Sequence, residues 1–173
     1  MGDKHLVLIG LMGAGKTTVG RLCAQRLGRA FMDTDDVVVA LAGVNIDEIF
    51  RTGGEPRFRD LERAAVVDVC ASPAPLVIGS GGGSVLDPEN RRLLRAAGVV
   101  VWLRAPVTVL TARVGSGATR PLLAGDPERA LARLEKLREP VYEAAAHCTV
   151  DTEGLDLAAV ADAVVGAYEG VRA

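Results

Sequence analysis

The chain has 173 residues, 49% of them apolar but only 3% aromatic, and its formal charge is −2. This length and composition suit one compact domain, residues 1–173, with a core of Val, Leu, Ile and Ala. They exclude the strongly basic footprint of a nucleic-acid or membrane partner, and no apolar run approaches the ~20 residues that a membrane span needs.

Short apolar strands alternate with helical segments. Leu6–Ile9 is a continuous apolar run, the pattern of a strand buried on both faces. No signal-peptide pattern precedes it, and a cytoplasmic location is expected. Thr17–Leu27 has helical character and stops at Gly28. Ala30–Asp35 is a second strand, closing on carboxylates. Helical segments follow over Asp36–Ala42, Ile46–Arg51 and Glu55–Ala71, with Asn45 and Gly54 as boundaries. Pro75–Gly79 is a third strand. Pro88–Ala97 is a helix with Asp87 as N-cap and proline at its first position.

Val99–Leu103 is a fourth strand, and a helix over Val107–Val114 leads into the Gly/Pro-rich stretch Gly115–Pro127. A long amphipathic helix, Glu128–Ala145, is broken by Pro140. A short strand at Cys148–Val150 and a helix over Leu157–Val171 complete the chain. Strands separated by helices imply an α/β fold, a parallel sheet with helices on both faces. Ligands of such sheets bind at the carboxyl ends of the strands. Cys23, Cys70 and Cys148 lack CxxC spacing and have only His5 and His147 for company, so they read as reduced thiols and not as a metal cluster.

The stretch Gly10-Leu11-Met12-Gly13-Ala14-Gly15-Lys16-Thr17 is a full G-x-x-x-x-G-K-[ST] match between the first strand and the first helix. Its glycines let successive backbone N–H groups point inward at phosphate oxygens, and the helix N-terminus adds favourable dipole charge. Lys16 is placed to reach the β- and γ-phosphates, the Thr17 hydroxyl to ligate Mg²⁺, and Thr18 to lie near the α-phosphate. The stretch reads as a nucleoside triphosphate site. No guanine-reading N-K-x-D sequence accompanies it.

Asp33-Thr34-Asp35-Asp36 closes the second strand. Two carboxylates two residues apart on an extended segment project to the same side. Asp33 is expected to hold a Mg²⁺-bound water and Asp35 to take a proton from an acceptor hydroxyl or orient it. The competing reading is a solvated turn with Asp36 as helix cap. Further on, Phe58, Leu61, Ala65 and Val69 make an apolar helical stripe. Arg59 flanks that stripe with Glu62 one turn on. It is either a carboxylate clamp or an exposed helix ion pair.

The third strand runs into Gly79-Ser80-Gly81-Gly82-Gly83, a costly sequence to order unless something must approach the backbone closely. Arg113 precedes a glycine-hinged loop that carries Arg120-Pro121-Leu122-Leu123. Arg120 there suits a lid over a triphosphate. Arg138-Glu139-Pro140-Val141-Tyr142 adds a late arginine.

In order and spacing these segments resemble the shikimate kinase family over essentially the whole chain. The resemblance rests on the Gly10–Thr18 cradle, Asp33-Thr34-Asp35, Gly54-Glu55 with Phe58-Arg59 and Glu62, Gly81-Gly82-Gly83, and Arg120-Pro121-Leu122-Leu123 followed by Arg138, Pro140 and Tyr142. It implies a three-layer, P-loop, nucleoside monophosphate kinase-like fold with strand order 2-3-1-4-5. It further implies ATP- and Mg²⁺-dependent phosphorylation of the 3-hydroxyl of shikimate by a monomer, a step toward chorismate. Under it Lys16, Asp35 and Arg120 are catalytic, with Asp35 the base. Gly13, Ala14, Gly15, Lys16, Thr17, Thr18, Arg113 and Arg120 bind nucleotide, and Thr17 and Asp33 serve the metal. Asp35, Arg59, Gly81, Gly82, Gly83 and Arg138 bind shikimate, with a helical segment over about 35–63 and a lid over about 113–126.

Two departures stand out: Thr17 replaces the commoner serine, and Thr152-Glu153-Gly154-Leu155 lacks the arginine that some members place beside adenine. Another small-molecule P-loop kinase, such as a gluconate kinase, is the nearest rival. A non-catalytic ATP-binding regulator is the rival from another class.

Overall fold

The computed structural model describes residues 4–115 and 125–173. Five parallel strands form one sheet in the order β2-β3-β1-β4-β5: β1 His5–Ile9, β2 Phe31–Asp33, β3 Val77–Gly79, β4 Gly98–Arg104 and β5 Cys148–Asp151. β1 lies at the centre, pairing with β3 through Leu6↔Val77 and with β4 through Val7↔Val100. All five of its residues are buried, as an apolar run covered by helices on both faces must be.

The helices are α1 Lys16–Leu27, α2 Thr34–Ala42, α3 Ile46–Cys70, α4 Pro88–Ala97, α5 Val107–Val114, α6 Pro127–Ala145 and α7 Leu157–Arg172. α1 and α7 cover one face of the sheet. α3, α4 and α6 lie on the other, giving three layers. The core between them is aliphatic. Leu6, Leu8, Ile9, Ile78, Leu94 and Leu103 are fully buried, with Tyr142 and Tyr168 the largest members. Each such side chain contributes about 1.5–3 kcal/mol of transfer free energy.

Local chemistry sets the element boundaries. Asn45 accepts from Glu48 N at the start of α3, and Asp87 accepts from Glu89 N with Pro88 following at the head of α4. Asp126 and Asp156 cap α6 and α7 in the same way. Gly28 closes α1 in the left-handed conformation. The boundary expected at Gly54 is a kink inside α3: φ 65° at Gly54 breaks the helical path while the element continues through Pro56.

Three expectations change. β2 stops at Asp33 and not Asp35, because Thr34 already belongs to α2. β3 begins at Val77, later than expected. Pro140 does not break α6, which keeps helical backbone through to Ala145. The proline forfeits one backbone hydrogen bond, but Arg138, Tyr142 and Ala145 around it are buried and hold the turn against β4. Among the described residues, no helix is long and apolar enough to cross a membrane.

Candidate active site

The carboxyl ends of β1, β2 and β3 open into one cleft of about 950 Å³. It runs from the phosphate loop to Asp33, Asp35, Gly81 and Gly82 in one direction. In the other it reaches Arg113, Thr152 and the start of α7.

The loop between β1 and α1 has the shape its glycines require. Gly13 lies at φ 80°, and a Cβ there would sit 2.9 Å from the Leu110 carbonyl oxygen. Gly15 is the N-cap of α1 at φ 92° and makes no side-chain cap bond. The first N–H groups of α1 are therefore served by no cap side chain, the arrangement that takes an anion. Lys16 Nζ donates to Gly10 O at 2.7 Å and Leu11 O at 3.1 Å, which holds the ammonium against the loop's own backbone.

Thr17 Oγ1 donates to Asp33 Oδ2 at 2.9 Å. The other Asp33 oxygen, Oδ1, accepts from Asp35 N at 3.0 Å. Asp33 is thus the N-cap of α2, not Asp36, and Asp35 sits in the first helical turn. The two carboxylates reach the same cleft through this cap and not through a shared face of an extended strand. Among the described residues no group of three or more His, Cys, Asp or Glu side chains could hold a metal by itself. A cation at Thr17 and Asp33 would take its remaining ligands from phosphate and water.

The residues expected to bind the acceptor gather on the loop after β3. No residue of Gly81–Gly83 lies at positive φ, so backbone freedom is not what demands glycine here. Side chains crowd the positions instead. A Cβ on Gly81 would meet Asp35 Oδ1 at 2.9 Å and Glu62 Oε1 at 3.2 Å. One on Gly82 would meet Arg138 Nη1 at 3.1 Å, and one on Gly83 would meet Arg59 Nη1 at 2.9 Å and Arg138 Nη2 at 3.4 Å. Two guanidinium groups, one from α3 and one from α6, therefore meet over Gly83.

Both are held from behind. Arg59 Nη1 donates to Glu62 Oε2 at 2.8 Å and its other nitrogens to Glu55. The pair is no exposed helix ornament, because Glu62 is only 2% exposed. Burial pushes the Glu62 carboxyl above the usual carboxylate range, and the Arg59 guanidinium pulls against that shift. Arg138 is 5% exposed and lies beside the Tyr142 phenol.

Arg113 belongs to the opposite end of the cleft. Its guanidinium donates to Gly13 O, Thr152 Oγ1 and Thr152 O at 3.1–3.3 Å, tying α5 to both the phosphate loop and the turn after β5. Thr18 and Ala14 also line the cleft. Arg120 and the central part of the Gly/Pro-rich stretch lie outside the described residues.

Three residues given no role by the sequence reading have one here. Thr34 Oγ1 accepts from Gly81 N at 2.8 Å and anchors the start of the glycine loop. Thr152 fixes Arg113. Tyr142 donates to Gly82 O at 2.5 Å. The signal for Tyr142 was its place one helical turn after Arg138. Thr34 carried none beyond lying between two aspartates.

The model of the family described as Shikimate kinase matches residues 12–169. A shikimate kinase of Thermodesulfovibrio yellowstonii is 42% identical over 96% of this chain and 95% of its own. The solved structure of a shikimate kinase from Acinetobacter baumannii in complex with shikimate superposes with a TM-score of 0.93 at 35% identity, covering 98% of this chain and 95% of that one. A gluconokinase from Sinorhizobium meliloti superposes at 0.64 with 22% identity, covering 98% of this chain and 93% of that one, a likeness of fold alone.

Proposed function

The chain belongs to the shikimate kinase family, and from that premise we propose how its cleft divides the work. It is a phosphotransferase that acts on shikimate with ATP as the phosphoryl source, in the route to the aromatic amino acids. The product is the 3-phosphate, formed by direct in-line transfer without a covalent enzyme intermediate. The whole chain acts as one domain, monomeric and cytoplasmic.

The observation that carries this reading is the meeting of Arg59 and Arg138 over Gly83, next along the loop from Gly81 and Gly82, which with Asp35 line the same cleft as the phosphate loop. A planar guanidinium pair bonds both oxygens of a carboxylate. An acid held there by its carboxylate turns its ring hydroxyls toward Asp35. Shikimate carries both groups, on opposite sides of one ring. Asp35 orients the 3-hydroxyl and accepts its proton as the bond to phosphorus forms.

On the nucleotide side, the amides of the Gly13–Thr18 segment and Lys16 hold the triphosphate, Lys16 exchanging its backbone carbonyls for phosphate oxygens. Thr17 and Asp33 offer hydroxyl and carboxylate oxygens already hydrogen-bonded to each other, a hard donor set that suits Mg²⁺. When bound, that ion neutralises charge on the β- and γ-phosphates. Arg113, anchored on Gly13 and Thr152, lies beside the adenine. Positioning and charge neutralisation supply most of the catalysis.

A coupled ADP-release assay tests the reading with ATP and shikimate, with ATP and gluconate, and with ATP alone. Turnover is expected on shikimate, with the other two at background. Equal rates in all three would mean that water takes the phosphoryl group, and preference for gluconate would mean that the acceptor end is misread.

A further inference from the structure

Tyr142 is a motif residue to which the division of labour above gives no task, yet it is among the most buried side chains, 1% exposed. Its ring tilts against Trp102 with centroids 5.7 Å apart. Its hydroxyl donates to Gly82 O. Burial pushes the phenol up to about 12, so it stays protonated and a donor throughout the neutral range.

The bond fixes more than one carbonyl. A trans peptide is planar, with its C=O and N–H antiparallel. Once Gly82 O is held on Tyr142, the Gly83 N–H of the same peptide must point the opposite way. Gly82 is also where three parts of the site touch. The position of its absent Cβ lies 3.4 Å from Gly10 O of the phosphate loop, 3.1 Å from Arg138 Nη1 and 3.6 Å from the Tyr142 hydroxyl. Arg138 lies one turn before Tyr142 on the same helix, so α6 grips the glycine loop at two neighbouring points.

We infer that Tyr142 is a positioning residue for the acceptor: its hydroxyl locks the Gly82–Gly83 peptide and Arg138 into one frame, set at a fixed distance from the phosphate loop. The inference rests on shikimate being the acceptor and adds a residue that need not touch it. Without the hydroxyl, Gly82 O loses its donor and the peptide is free to turn. Arg138 then meets the acid carboxylate beside a loop peptide that is no longer fixed. The nucleotide loop keeps its own lysine, threonine and helix N-terminus.

Tyr142→Phe tests this, because phenylalanine keeps the ring against Trp102 and removes only the hydroxyl. Kinetics on both substrates and thermal denaturation are compared for the parent, Tyr142→Phe and the packing control Trp102→Phe. For Tyr142→Phe, KM for shikimate is expected to rise about tenfold, the scale of one lost buried hydrogen bond. KM for ATP should stay within about twofold, since its binding groups are untouched. Trp102→Phe should lower the melting temperature while leaving KM for shikimate near the parent's.

An unchanged KM for shikimate in Tyr142→Phe, with parent turnover intact, overturns the inference and leaves the function standing. So does a rise of equal factor for both substrates, or an equal rise in Trp102→Phe, since either is general loosening. Absence of parent turnover on shikimate overturns the function and the inference with it.

Discussion

In the proposed division of the cleft, residues 10–18 supply nearly every nucleotide-binding group from one continuous stretch. The proposed acceptor end draws Asp35 from α2, Arg59 from α3, Gly81–Gly83 from the loop after β3, and Arg138 and Tyr142 from α6. The phosphate loop needs little more than glycine dihedrals and the start of a helix, so its competence is local. The proposed acceptor end exists only when the sheet is assembled in its order, and two of its charges, Glu62 and Arg138, are buried where they must be paired. Glu62 provides that pairing: it accepts from Arg59 and lies within the field of Arg138, whose guanidinium also sits beside the neutral Tyr142 phenol. The difference teaches that the two ends should fail separately.

The largest expected effect is on the nucleotide end. Lys16→Ala should reduce turnover by at least about 10³-fold, the scale lost with a transition-state charge partner. Calorimetric titration of shikimate into that variant should still show binding close to the parent's. Loss of shikimate binding there would mean that the ends are not separable.

Asp35→Asn should cut kcat by about 10²–10⁴-fold, the usual worth of a general base, while ATP affinity measured by titration stays at the parent value. Near-normal activity in this variant would remove Asp35 from the base role. Arg138→Met keeps most of the buried volume and removes the guanidinium. It should raise KM for shikimate about 10–100-fold, the worth of a hydrogen bond to a charged group, and change KM for ATP far less.

The smallest effect concerns the amino-terminal ends of the strands, opposite the cleft, where neither end of the site reaches. His5 Nδ1 accepts from Leu76 N and His147 Nδ1 accepts from Val100 N, each at 2.9 Å. Burial lowers both imidazoles below their ordinary value of 6.5, with Arg95 and Lys4 adding to the effect at His147. A lowered folded value means that the neutral rings contribute stability above pH 6.5, and that this contribution is lost as pH falls below it. The melting temperature should therefore fall by a few degrees from neutral to mildly acid pH. A His5→Asn, His147→Asn double variant should show a flatter profile over that window.

The same contrast decides what was legible in the sequence. The phosphate loop could be read letter by letter, because its function lies in the φ angles of Gly13 and Gly15 and the helix that follows. The element boundaries at Gly28, Asn45 and Asp87 were legible for the same local reason, whereas Gly54 proved to be a kink inside α3. Asp33 and Asp35 were placed in the right cleft by the wrong geometry: a strand period was assumed where a helix cap forms.

The glycine loop shows the limit more plainly. Its three glycines demanded a close approach, but sequence alone could not say that the approaching groups are Arg59, Arg138 and Asp35. Tyr142 and Gly82 are 60 residues apart, and their meeting depends on where α6 crosses the sheet. Alternating strands and helices imply a parallel sheet without fixing that crossing. Family resemblance supplied the strand order that composition and periodicity leave open.

The most direct measurement of the central claim is the identity of the product, by phosphorus and proton NMR of a complete reaction with ATP and shikimate. The account predicts a single phosphomonoester whose phosphorus couples to the proton on carbon 3, formed in step with ADP. Inorganic phosphate with no ester, or an ester at another hydroxyl, would contradict the placing of the acceptor between the Arg59–Arg138 clamp and Asp35.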